Sequence, residues 1–211
     1  ADIHVLVDEA YEHFVYDGGK RTSLASLPGM FNRTITVQTV SKIYNMAGWR
    51  VGWAAAAAPL MAKIALVHAH AVTCPTSFAQ AGAEAVIREG IGEGDLPIAN
   101  IVERYTAQRD AMVSGLSAIP GVTCATPSGA FFVFPNLATF GMSSIEICEY
   151  LLQTAHVSAI PGSAFGQEGE GYIRLVFKSD VGVINQGVAR LAEALSKIKP
   201  NTVTNGSGNA R

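Results

Sequence analysis

VQTVSKIYNMAGWRVGWAAAA (residues 37–57) sets one lysine, Lys42, and one arginine, Arg50, among small and apolar residues, with nothing acidic between them. So apolar a stretch reads as protein interior, where an isolated cation is expensive unless it is neutralised or given a partner. A lysine can be neutralised. Partly desolvated and close to a second cation, it gives up its proton and becomes a nucleophile toward aldehydes. An arginine cannot lose its proton, so Arg50 needs a resident anion, and a phosphate gripped by two parallel N–H groups would serve.

Outward from this stretch, strand and helix patterns alternate. Residues 3–7 read as a buried strand, 34–39 as a second, rich in β-branched residues, and 50–56 as a candidate third. An apolar strand like the first is normally paired on both sides in a mostly parallel sheet. The chain opens inside that strand without an initiator methionine, so more chain is expected ahead of Ala1. Residues 17–32, polar and containing Gly and Pro, join the first two strands. Helical patterns follow over 59–72, 76–90 and 98–119, each stopped by a Gly or Pro signal. In the second half, residues 122–124, 130–134, 157–160 and 172–177 read as strands. Residues 143–154 read as a helix with Ser143 or Ser144 at its N-cap, and 181–198 as a closing helix. The alternation predicts an α/β class with a domain boundary inside or after the long helix.

Bulk composition narrows the function. Among 211 residues, 49% are apolar and 15% charged, which places the chain among globular proteins. A net charge of −2 argues against a nucleic-acid binder. No apolar run reaches membrane-spanning length and the opening residues show no signal-peptide pattern, so the expectation is a cytoplasmic protein without membrane contact. Cys74, Cys124 and Cys148 are odd in number and widely spaced, and read as buried free thiols of a reducing compartment. His68 and His70 lie two apart on a helix and share no face, so no metal site is expected there. His4, His13 and His156 read as structural, Trp49 and Trp53 as packing, and Gly129, Gly162 and Gly166 as turn glycines with positive φ.

A ligand bearing both an aldehyde and a phosphate would answer Lys42 and Arg50 together, and pyridoxal phosphate is such a ligand. It would also need a carboxylate at its ring nitrogen and a hydrogen-bond donor at its phenolic oxygen. VDEAYEHF offers Asp8 and Tyr11 where the first strand runs out, the end at which parallel α/β sheets collect their sites. Arg174 is the single charge in an otherwise apolar strand, on the same face as Tyr172 and Val176, and a substrate carboxylate is a sensible partner for it.

Five pieces in order resemble the fold-type-I aminotransferases, class I/II, the family of the aspartate, aromatic and alanine enzymes. They are DEAYEHFVYD (8–17), TVSKIYNMAGWRVGW (39–53), CPTSFAQ (74–80), PSGAFFVFP (127–135) and the run from IPGSAFG to GYIRLVF (160–177). The resemblance implies Lys42 as the Schiff-base lysine and proton shuttle, Asp8 on the pyridinium nitrogen and Tyr11 on the phenolic oxygen. It further implies Arg50 on the phosphate with the Thr39 hydroxyl beside it, and Arg174 on the substrate α-carboxylate. It implies the C-terminal portion of such an enzyme: residues 1–105 ending the large cofactor domain, 106–199 forming a small α/β domain, and 200–211 a disordered tail. The activity implied is amino transfer from an L-amino acid to a 2-oxo acid in a homodimer, aspartate as the leading donor. This chain by itself is expected to take up little pyridoxal phosphate. Alternatives are a C–S β-lyase using the same residues, an aminotransferase-like sensing domain, and a fragment without function.

Overall fold

The computed structural model describes residues 3–92 and 96–198. The expected tail, 200–211, lies outside the described residues. The chain divides into two compact units, Ala1–Arg104 with Ser128–Ala130, and Tyr105–Pro127 with Phe131–Arg211.

The first unit holds a three-stranded sheet of β1 (Val5–Asp8), β2 (Thr34–Thr39) and β3 (Gly52–Ala55) in that order. β1 runs parallel to β2 with Asp8 opposite Val37, and β3 is antiparallel with Gly52 opposite Thr39. The β-branched run of β2 makes it the central strand. β1 is not the buried strand expected. It borders only β2 among the described residues, and alternate residues face outward, leaving Leu6 69% exposed. Helices α1 (Ala58–Ala71) and α2 (Ser77–Glu89) follow; a proline opens α1, and Gly90 at φ 66° closes α2. Ala79 and Ala83 of α2 pack on Val40, Met46 and Val51, so the stretch after β2 is fastened to α2 by a small apolar core. The Trp49 ring lies over Gly82, where a Cβ would meet it at 2.7 Å, although the tryptophan is 46% exposed.

One short piece of distant sequence completes this unit. Ser128 accepts from the Tyr16 N–H at 3.0 Å, the Ala130 N–H donates to Phe14 at 2.9 Å, and the Tyr16 hydroxyl bonds the Ala130 carbonyl.

Helix α3 (Ile98–Ser117) contains the division between units, at Arg104 and Tyr105. The second unit has an antiparallel sheet, in the order β4 (Phe132–Val133), β6 (Ile173–Val176) and β5 (Ile160–Pro161), with helices α4 (Ser144–Ala155) and α5 (Val181–Ser196). Ser143 caps α4 in a reciprocal box with Glu146, which fixes the helix start. α5 buries Ile184, Val188, Leu191 and Leu195 at helical spacing. Residues 122–124 form a single bridge, Thr123 to Asn136, in place of the expected strand. The strand expected at 157–160 begins only at Ile160, because His156 turns the chain out of α4 at φ 53°.

The three glycines differ in their reasons. Gly166 has φ 118°, as expected, but Gly162 and Gly129 are not in the positive-φ region. A Cβ on Gly162 would lie 1.9 Å from the Gly169 carbonyl oxygen, and one on Gly129 would lie 2.8 Å from that of Phe14. Close backbone approach, not dihedral freedom, reserves those two positions.

Candidate active site

Four of the five expected cofactor contacts sit where β1 and β2 end, and the fifth where β3 is about to start. Asp8 closes β1, Thr39 closes β2, Tyr11 and Lys42 lie in the turns just beyond, and Arg50 comes two residues before β3. The parallel pairing of β1 with β2 and the antiparallel return of β3 bring these ends to one side of the sheet.

Asp8 is exposed, and its carboxylate accepts from the Ala10 N–H at 3.0 Å. Lys42 is half-buried, with its amine 5.2 Å from the centre of the Tyr11 ring. No carboxylate among the described residues forms an ion pair with Lys42 or Arg50. Arg50 departs from the sequence expectation, for it is exposed. The chain turns there in the left-handed region, φ 57° and ψ 44°, and the guanidinium folds back to donate to the Ala47 carbonyl at 2.9 Å. It borders a cavity of about 740 Å³ shared with Trp49, His68, Cys74, Thr76 and Phe78. Cys74 is likewise exposed, so only Cys148 of the three thiols is buried. Burial pushes the Cys148 thiol up to about 11.

The Thr39 hydroxyl donates to the Val51 carbonyl at 2.9 Å and accepts from the Ser41 N–H at 3.0 Å. The Ser41 hydroxyl lies 2.7 Å from it. With the Thr39 proton on Val51, Ser41 supplies the donor of that pair. Sequence reasoning passed over Ser41; two hydroxyls bracketing one valine at a strand end were the available signal.

These groups fit pyridoxal phosphate on their own chemistry. Lys42 and Arg50 form no ion pair among the described residues, and Asp8 and Tyr11 come from the same end of the sheet. Lys42 would hold the aldehyde carbon, Arg50 and the Thr39–Ser41 pair the phosphate, Asp8 the ring nitrogen and Tyr11 the phenolic oxygen.

A second polar group is centred on Glu12 and includes His13 and Arg21. Burial pushes the His13 imidazole below its ordinary range; Glu12 opposes this and Arg21 reinforces it. The folded state therefore holds the His13 proton less tightly than the unfolded chain. Stability should rise with pH through the histidine range and be lost as pH falls below about 6.5. His13→Phe should flatten that step, as read by denaturant unfolding at about pH 5.5 and 7.5. The carboxylates held low by hydrogen bonds, Glu146 from Ser143 and Glu170 from Ser144, act in a separate, more acidic window.

In the second unit, Ile173 and Leu175 of β6 point to the core and Arg174 to the other face. Its guanidinium lies between two rings, 4.5 Å from the Phe132 centroid and 4.7 Å from that of Phe165. The Nε is buried and has no hydrogen-bond partner among the described residues. An orphaned, buried guanidinium donor is what a carboxylate ligand would satisfy. His68 and His70 belong to no metal-binding cluster, and none exists among the described residues. No described helix is long and apolar enough to cross a membrane.

Among solved structures, the fold is similar to that of the aromatic aminotransferase from Pyrococcus horikoshii OT3, with a TM-score of 0.84 and 34% identity over 93% of this chain and 52% of that one. The aspartate aminotransferase of Rhizobium meliloti gives 0.83 and 35% over 93% and 50%. The chain thus has the α/β fold of the fold-type-I aminotransferases. In sequence, it is 36% identical to aromatic-amino-acid aminotransferase 2 of Thermococcus litoralis, over 94% of this chain and 50% of the relative. It is 38% identical to the aspartate aminotransferase of Musicola paradisiaca, over 93% and 48%. The profile of aminotransferase class I and II matches residues 1–191, and the chain belongs to that family. It spans about half the length of the curated relatives it matches.

Proposed function

We propose that the chain serves a pyridoxal-phosphate-dependent aminotransferase, moving an amino group from an L-amino acid, aspartate foremost, to a 2-oxo acid. The observation that carries this is the Lys42 amine over the Tyr11 ring, at the sheet end that also gathers Asp8, Thr39 and Arg50. Relatives named as aspartate and aromatic aminotransferases support the reading. When bound, pyridoxal phosphate supplies an electrophilic carbon and an electron sink. Lys42 Nζ would hold its aldehyde carbon and would carry a proton to and from the substrate carbon. The Asp8 carboxylate would keep the ring nitrogen protonated and the Tyr11 hydroxyl would donate to the phenolic oxygen. Arg50 would fork onto the phosphate, and Arg174 would take the α-carboxylate. A homodimer acting in the cytoplasm on small-molecule substrates completes the proposal.

The test supplies the full-length protein with pyridoxal phosphate, aspartate and 2-oxoglutarate. Glutamate appearing in step with oxaloacetate is the expected result. Pyruvate and ammonia released from an S-substituted cysteine, without amino transfer, would instead mark a β-lyase.

A further inference from the structure

The ladder between β1 and β2 ends where the Glu9 N–H donates to the Val37 carbonyl at 2.9 Å. Tyr11, whose ring faces the Lys42 amine, sits beyond that last rung in a turn. Glu12 carries the connection further. Its carboxylate, 15% exposed, accepts from the Gln38 side-chain amide at 2.8 Å and pairs with Arg21 at 3.1 Å through the same Oε2. Oε1 faces His13 Nε2 at 3.3 Å, and the His13 ring meets Tyr44 edge-on with centroids 6.2 Å apart.

One carboxylate thus links the turn after β1, the connector at Arg21, the end of β2 and, through two rings, the turn that bears Lys42. Glu12 directly follows Tyr11, Gln38 directly precedes Thr39, and Tyr44 comes two places after Lys42. Between them lies a cavity of about 210 Å³, so polar ties rather than filled packing set the local geometry.

We propose that Glu12 is a positioning residue: it fixes the Tyr11 phenol against the Lys42 amine and the Thr39 hydroxyl before any cofactor arrives. This rests on the reading of Lys42 and Tyr11 given above. Glu12→Gln keeps an acceptor for Gln38 but drops the charge that holds Arg21. Glu12→Ala removes both, and Gln38→Leu removes the donor alone. In the full-length protein, the measurements are affinity for pyridoxal phosphate by equilibrium dialysis, melting of the cofactor-free protein, and kcat and KM for amino transfer. Glu12→Ala should weaken affinity about tenfold, the size of one hydrogen bond to a charged group. It should lower kcat while leaving KM for the amino donor unchanged. Gln38→Leu should give most of that loss, the double variant little more, and Glu12→Gln a partial rescue.

A lower melting temperature with unchanged affinity and kcat in Glu12→Gln and Gln38→Leu would make Glu12 a structural brace only, and overturn the proposal. Affinity unchanged in Glu12→Ala but lost in Lys42→Ala would overturn it while sparing the cofactor reading. If the unaltered protein takes up no pyridoxal phosphate, or Lys42→Ala takes it up equally well, the cofactor reading has failed and this inference falls with it.

Discussion

Lys42→Ala is expected to lower amino transfer by at least about 10²–10⁴-fold, the share that a positioned proton-transfer group supplies, with the lost covalent anchor adding to it. Folding should hardly register the change. The Lys42 amine lies 5.2 Å over the Tyr11 ring, and such a contact at a half-exposed position is worth about 0.5–1 kcal/mol. The two numbers separate chemistry from scaffold. Thermal melting should move by a few degrees at most while single-turnover amino release collapses. A Lys42→Ala protein that keeps its rate within tenfold would remove the amine from the reaction.

Arg174 should show effects of opposite sign on binding and on folding. Its guanidinium lies over the rings of Phe132 and Phe165, and its Nε is buried without a partner among the described residues. Leaving such a donor unsatisfied costs the folded state about 1–3 kcal/mol. Arg174→Leu relieves that cost while giving up two cation–π contacts, so melting should be neutral or slightly raised. Binding has no such compensation. Losing a buried charge-assisted pair costs about 2–5 kcal/mol, so kcat/KM for the amino donor should fall about 30- to 5,000-fold. Arg174→Lys retains the charge but not the bidentate geometry, and should recover only part of the loss. A donor kcat/KM unaffected by Arg174→Leu would detach this residue from the substrate carboxylate.

What the sequence made legible follows from where local chemistry decides. β2 falls at Thr34–Thr39 as read, because a run of β-branched residues favours the pleat over either alternative. α2 and α4 have the expected ends because Gly90 and the Ser143–Glu146 box specify them within a few residues. Burial was less legible, since it depends on what distant segments cover. Leu6 looked like core and is exposed, Cys74 likewise, and Arg50 lies at the surface of a stretch that composition alone made interior. Gly162 was read as a dihedral choice, yet its reason is the Gly169 carbonyl, which only the closed loop brings near. At the site, residue types and spacing pointed to Lys42 and Tyr11. Ser41 and Glu12 escaped because their roles run through partners, Thr39 and Gln38, that sequence order alone does not pair.

The clasp of Ser128–Ala130 onto Phe14 and Tyr16 bears on how the gene can be dissected. A stop codon after Arg104 would discard these three residues, although they pack with the first unit. The severed piece would expose the Phe14 carbonyl and the Tyr16 N–H and hydroxyl that they satisfy. A truncation that spares this half would need the tripeptide grafted back, as an added arm reaching the single bridge at Val15.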